Sequence, residues 1–265
     1  MKTSKNHGWW LALLLLPLAA MAAPPMTYEM DAVGEIEIGP DGAVKDYRLG
    51  GDLPQGVVQA VDSNVRRWKF EPILVDGRPV IATTRMRLAL TAVPTEGDQF
   101  ALKVTNVWFG EPGKRRTLAP PLYPPAMQRA YVEGKVSLIV KVDADGNVVD
   151  AMSEQTSLSK DVKGKTANRW RRMLEESSVA AARNWKFTPT EKIDGEATPT
   201  LVRVPVVFSM GGRWSGFVPG PIQPVPWLIR ESTTSQAMRD TLEDGQMQPL
   251  DSRFKLARDV VGTTL

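Results

Sequence analysis

A five-residue phrase occurs twice in this chain. It reads Trp68-Lys69-Phe70-Glu71-Pro72 in the first half and Trp185-Lys186-Phe187-Thr188-Pro189 in the second. Each copy ends a helix-like stretch. Upstream of each lies a strand-like stretch broken by Asp-Gly, at Asp41-Gly42 and at Asp145-Gly146. Downstream of each come a Gly-containing turn and an apolar alternating run. A phrase repeated in the same order with the same neighbours marks two copies of one folding unit. Two copies are too few for a solenoid, so the pattern predicts a tandem pair of small α+β domains.

The first unit is expected over residues 28–96. Gly34 to Ile38 alternates polar and apolar residues, as a half-buried strand does. Pro40-Asp41-Gly42 is a hairpin turn, and Ala43 to Leu49 returns as a second strand. Val57, Val58, Val61 and Val65 then recur at helical spacing with Trp68 three residues on, which gives one apolar helix face. Arg85 to Leu90 alternates again and closes the unit. Residues 97–116 read as a linker or one extra strand. The second unit, 117–210, opens on the stiff stretch Ala119 to Pro125, with Ala126 to Tyr131 as a short helix. It repeats the order strand, strand, helix, strand over Gly134–Val142, Asn147–Ala151, the helix before Trp185, and Leu201–Phe208. Each unit is thus a short antiparallel sheet packed on a helix.

From Asp41 to Trp68 the chain advances 27 positions, and from Asp145 to Trp185 it advances 40. The extra length falls in 159–177 and is basic, with Lys160, Lys163, Lys165, Arg169, Arg171 and Arg172. Such charge runs are usually solvated helix faces. Residues 211–265 read as a Pro-rich spacer and a tail. In the tail, Ser235–Glu243 and Ser252–Val261 have the pattern of short amphipathic helices.

Residues 1–22 read as a secretory signal peptide. Lys2 and Lys5 precede an apolar run, and Ala20-Met21-Ala22 offers a small-residue cleavage site. The alternative is an uncleaved inner-membrane anchor formed by residues 9–20, with the rest of the chain facing the periplasm. Without residues 1–22 the chain has 31 basic and 30 acidic residues, two lysines fewer than the full 33 and 30. That balance argues against nucleic acid as a partner, which needs a concentrated positive face. There is no cysteine, and the only histidine, His7, lies in the leader. Nucleophilic sites built on histidine or cysteine are therefore excluded, and so are the usual zinc ligands. No catalytic group, cofactor or metal is expected, and the chain reads as a non-enzyme.

The second unit resembles the C-terminal domain of the TonB family. The family's Tyr-Pro entrance is matched by Tyr123-Pro124 and Ala126, and its strand-opening glycine by Gly134. The Asp-Gly hairpin is matched at Asp145-Gly146. Trp-x-Phe-x-Pro is matched at Trp185, Phe187 and Pro189, and the Gly turn at Gly195. A final strand with Pro and Phe is matched at Pro205 and Phe208. Residues 34–91 resemble a degenerate second copy without the Tyr-Pro entrance. The chain also departs from the family. Its hydrophobic run contains neither the Ser nor the His of TonB's membrane anchor, no long Pro/Lys/Glu spacer follows, and Pro120 stands where TonB often has Gln. These departures bear on energy transduction.

The resemblance implies a periplasmic protein that makes protein–protein contacts in TonB-linked transport. Its partner would be a TonB-dependent outer-membrane receptor or another envelope protein. The alternative is an envelope binding module for peptidoglycan or complex assembly, with the basic insert as its contact. Trp68, Phe70, Trp185 and Phe187 are expected in the cores, since large aromatics after an apolar helix face fill interiors. Pro205 places the last strand at a sheet edge, because a central strand would lose a ladder bond there. The resemblance then implies that Leu201, Val202, Arg203 and Val204 receive an extended peptide by β-augmentation. One face of this strand is expected on the helix and the other in solvent.

Overall fold

The computed structural model describes residues 27–95, 99–114, 118–160, 162–211, 216–228, 242 and 246–265. The expected leader, 1–22, and the expected helix at Ser235–Glu243, apart from Leu242, lie outside the described residues.

The first sheet begins with β1 (Tyr28–Ile38) and β2 (Val44–Gly50), joined through the Asp41-Gly42 turn. Helix α1 (Gln55–Val65) follows, and its buried residues Val57, Val61 and Val65 recur every fourth position on one face. A small hairpin, β3 (Leu74–Val75) and β4 (Arg78–Pro79), leads into β5 (Ala82–Pro94). Along β5 burial alternates, with Ala82, Thr84, Met86, Leu88, Leu90 and Ala92 turned inward. The stretch read as linker or strand is a strand, β6 (Phe100–Phe109), paired antiparallel to β5. A two-residue strand β7 (Gly113–Lys114) ends this part.

The second sheet is entered through helix α2 (Pro125–Arg129). Strands β8 (Gly134–Val142) and β9 (Val148–Leu158) form its hairpin, and α3 (Gly164–Ala182) packs on it. Three short strands come next: β10 (Phe187–Thr188), β11 (Lys192–Ile193) and β12 (Glu196–Ala197). Then come β13 (Thr200–Phe208) and, in the tail, β14 (Gln248–Pro249). The order is β14-β13-β8-β9 in this sheet and β12-β11-β5-β1-β2 in the first, with β6 also on β5. In both, the next long strand after the helix, β5 or β13, pairs with the first strand of the hairpin. The elements of the second half are longer, with 11 residues in β9 against 7 in β2, and 19 in α3 against 11 in α1.

The repeated phrase does the same job in each half. Trp68 N–H and Trp185 N–H donate to Val65 and Ala182, which tightens the last helical turn. Phe70 N–H then donates to Gly42 O at 2.8 Å, and Phe187 N–H to Gly146 O at 2.9 Å. The two glycines have φ of +72° and +84°, and a Cβ on either would sit 2.0 Å from the phenylalanine carbonyl oxygen. Only glycine meets both demands, a left-handed backbone and a close approach. The hairpin turn is thereby tied to the residues after the helix. Each half has its own apolar core, one around Ile36, Met86, Trp68 and Phe70, the other around Leu138, Val204, Trp185 and Phe187.

The two halves are not separate sheets plus a loose tail. The β11–β12 hairpin, built on the predicted Asp194-Gly195 turn, belongs to the first sheet, where Lys192 and Ile193 pair with Thr83 and Ala82. Ile193 is buried in the first core. The helix expected at Ser252–Val261 does not form. Phe254 and Leu256 are spaced as in a strand, Phe254 enters the first core, and Leu256 bridges Phe70. Glu71 N–H donates to Lys255 O and Ala257 N–H to Lys69 O, so pairing with the repeated phrase supplants the helix. Farther on, residues 262–265 run beside β6, with Val104 N–H on Thr263 O and Leu265 N–H on Leu102 O.

Candidate docking edge

Strand β13 carries the four residues expected to receive a partner. Val202 and Val204 are buried and face α3 with Val206 and Phe208, while Leu201 is half-buried. The opposite face does not meet water as the sequence led us to expect. Arg203 is fully buried, and it is not alone there. Its Nε and Nη2 donate to the two oxygens of Glu154, both at 2.8 Å, and its Nη1 donates to Gln248 Oε1 at 2.6 Å. Ser137 Oγ also donates to Glu154 Oε2, at 3.1 Å. A guanidinium loses its hydration in such a place, and a bidentate carboxylate with further hydrogen bonds offsets that loss.

A bulge brings Glu154 there. Ser137 pairs with Gln155 and Leu138 with Ser153, which leaves Glu154 as the extra residue of β9. Bulges re-aim side chains, and this one sends the carboxylate across β8 to Arg203. No local signal in the sequence announces it, since Arg203 and Glu154 lie 49 positions apart.

The outer edge of β13 is occupied by the chain's own tail. Val202 and Arg203 pair with Pro249 and Gln248 of β14. Leu250 N–H donates to Leu201 O at 2.9 Å, and Leu201 N–H donates to Asp251 Oδ1 at 2.8 Å. Thr200 Oγ1 donates to the same oxygen at 3.0 Å. Both backbone groups of Leu201 therefore point toward the tail. By strand alternation Arg203 and Pro205 point that way too. Pro205, which has no N–H, thus stands on the edge side just beyond the two-residue strand. Met247 is buried against the second core.

The other edge of the sheet is covered as well. Val218 and Leu158 exchange backbone hydrogen bonds at 2.8 and 3.0 Å, Gln223 N–H donates to Glu154 O, and Gln155 Nε2 donates to Gly220 O. The Pro-rich spacer is thus laid along β9. Two carboxylates, the buried Glu191 and the exposed Asp251, hold the tail beyond β14. Glu191 accepts from Ser252 Oγ and Arg253 N–H, and Asp251 accepts from Thr200 and Leu201. Loss of hydration is the main cause that raises both from their ordinary values.

The entrance residues sit at the opposite end of β13. Tyr123 stacks edge-on against Phe208 at 5.4 Å, and its hydroxyl donates to Val132 O at 3.0 Å. Burial pushes that phenol up to about 12, with the Glu133 charge adding to the effect. Pro124 is buried and precedes α2 in extended conformation. Trp185 Nε1 donates to Ala119 O at 2.8 Å, so the repeated tryptophan also fastens the entrance. Trp68, Phe70, Trp185 and Phe187 are all buried. Of the basic insert, Lys163, Lys165, Arg169 and Arg172 are exposed, while Arg171 is half-buried against Thr156.

The second half of this chain is similar to TonB-type C-terminal domains. Residues 119–210 match the family described as Gram-negative bacterial TonB protein C-terminal. Two curated relatives, both named "Protein TonB" and from two strains of Xanthomonas campestris pv. campestris, are 39% identical to this chain over 95 residues. The match covers 36% of this chain and 37% of each relative, so the chain spans little more than a third of the length of the curated relatives it matches. Among the described residues no helix is long and apolar enough to cross a membrane.

Proposed function

We propose that this chain is a TonB-like periplasmic protein that works in TonB-linked transport by holding a partner strand, not by catalysis. Residues 1–22 direct its export, and its partner is a TonB-dependent outer-membrane receptor or another envelope protein. The partner adds as a strand to the outer edge of β13. The observation that carries this reading is that a strand already sits there: β14 pairs with Val202 and Arg203 as an added peptide would. The tail is then an internal occupant that must leave before a partner binds. Residues 28–96 are a degenerate first copy of the domain, a reading supported by the matching glycine–phenylalanine contacts of the two turns.

The chain has no cysteine, which makes the test clean. Val202 and Pro249 are opposite one another in the antiparallel pair, at a position without ladder bonds of its own, where Cα atoms lie about 4.5 Å apart. That spacing suits a disulfide. A Val202→Cys, Pro249→Cys chain is crosslinked to its own envelope extract in oxidised and reduced form. Capture of an outer-membrane receptor only by the reduced form supports strand addition at this edge. Equal capture by both forms places the partner elsewhere. Recovery of cell-wall fragments without a receptor favours the binding-module alternative.

A further inference from the structure

A cleft of about 510 Å³ lies where the first sheet meets the segment that follows the second repeated phrase. We propose that this cleft binds a small organic acid through its oxyanion group, a carboxylate or a phosphate, held between Arg85 and Lys192. The volume is within the range of small-ligand sites. No residue of β13 or β14 lines it, so the site is separate from the docking edge.

Strand register sets the charges of the cleft. Glu35 stands opposite Arg85 on one side and Arg48 on the other, so the three share the face of the sheet away from its core. Lys192 stands opposite Thr83, two residues from Arg85 and on the same face. Arg85 and Lys192 are therefore diagonal neighbours, with Cβ atoms roughly 7 Å apart, and like charges so placed repel. Arg48 is held by Asp46 at 3.1 Å. Arg85 and Lys192 have no ion pair or side-chain hydrogen bond among the described residues, although Arg85 is half-buried. Glu35, opposite Arg85, makes no ion pair with it either. Glu37, the next acid along β1, does not line the cleft. With Arg48 and Asp46 taken as a neutral pair, two cations face one carboxylate, and positive charge is in excess. An oxyanion between Arg85 and Lys192 relieves their repulsion, and the planar guanidinium takes two of its oxygens together. Thr188 adds a hydroxyl that has no partner among the described residues. The walls are fixed without a ligand. Thr188 pairs with Gly113, Thr190 Oγ1 donates to Glu111 O at 2.9 Å, and Lys192 lies in the ladder with β5. Little ordering cost is then left for binding.

The test titrates the full chain with sodium phosphate and, separately, with sodium succinate, while sodium chloride keeps the ionic strength constant. Amide shifts of Arg85, Thr188 and Lys192 are followed by nuclear magnetic resonance. Saturable shifts with either probe support the site, and the probe that binds tighter names the oxyanion as phosphate or carboxylate. Two variants should then move the affinity in opposite directions. Arg85→Gln should weaken binding about tenfold or more, the effect of losing a charge-assisted hydrogen bond. Glu35→Gln should tighten it several-fold, because a like charge leaves the cleft. A variant that merely unfolds gives no gain, so the second substitution separates a lost site from a lost fold. No saturation by either probe up to about 10 mM overturns the proposal. So does an affinity that Arg85→Gln leaves unchanged, or one that Glu35→Gln lowers.

Discussion

Replacing Trp185 by Ala removes three things at once. The side chain is 4% exposed in the second core. Its ring meets Phe187 edge-on with centroids 6.5 Å apart, and its Nε1 holds Ala119 O. Truncating a buried Trp to Ala costs about 3–5 kcal/mol. The lost bond to Ala119 adds about 1 kcal/mol. Against a domain stability of about 5–15 kcal/mol this is a large share. Trp185→Phe keeps much of the apolar area and loses the bond, so it should cost about 1–2 kcal/mol. Urea unfolding followed by far-ultraviolet circular dichroism gives the order of the two variants. Hydrogen exchange across residues 118–132 shows whether the entrance is released. Two self-contained units would unfold independently, but here Met247 sits in one core and Phe254 in the other. Loss of the second core should therefore also expose Leu250. A Trp185→Ala chain with an unchanged midpoint, or with the entrance as protected as in the parent, would refute this reasoning.

Gly146→Ala should destabilise the chain by about 1–3 kcal/mol from its left-handed backbone alone, and by more because its Cβ would stand 2.0 Å from Phe187 O. A shift in urea midpoint no larger than that of Gly51→Ala, where a Cβ meets nothing within 4 Å, would count against the turn–phrase tie. The acidic clasp of the tail has a pH sign. Glu191 and Asp251 have folded values above their ordinary 4.5 and 3.8, so the folded form binds more protons. Their contribution is therefore fully present below those ordinary values and is lost as pH rises through the folded ones. The stability of the parent relative to a Glu191→Gln, Asp251→Asn chain should fall as pH is raised from about 4 toward 7. A difference that grows with pH would reverse the argument.

Much of each half was legible in the sequence because its signals are local. Alternation at Gly34–Ile38 and Arg85–Leu90, the valine spacing of α1 and the two Asp-Gly turns each report on a few neighbouring residues. So does the repeated phrase, and the order of such signals led to the family. What was not legible depends on distant pairings. Arg203 alternates with valines and looks solvent-facing until a bulge 49 residues away delivers Glu154. Lys192 and Ile193 look like part of the second unit's turn, yet Ile193 finds its apolar surroundings in the first core. Ser252 to Val261 has a helix cap and stop, but a helix there would forgo the pairing of Leu256 with Phe70 and the burial of Phe254. In each case a long-range contact outweighs a local preference, as tertiary packing often does.

If a partner strand adds at this edge, the tail must leave it first, and the magnitudes bear on that step. Around β14 there are the ladder pairing of Arg203 with Gln248, two bonds of Leu201, one of Thr200 and the charged one from Arg203. Neutral bonds contribute about 1 kcal/mol each and one to a charged group about 1.5–3. Burying Met247 adds about 1.5–3 kcal/mol. Ordering the five residues 247–251 costs about 1–2 kcal/mol apiece in backbone entropy alone. The two sides nearly cancel, so β14 by itself is a weak lock. Residues 254–265 are anchored separately, through Phe254 in the first core and the pairing beside β6. That anchor keeps β14 near its edge at a high effective concentration without adding a bond to the edge itself. A partner strand with more ladder bonds than the two-residue β14 can therefore win the edge while the rest of the tail stays docked. On the proposed reading a displaced β14 would stay tethered beside the site, able to re-close it when the partner leaves.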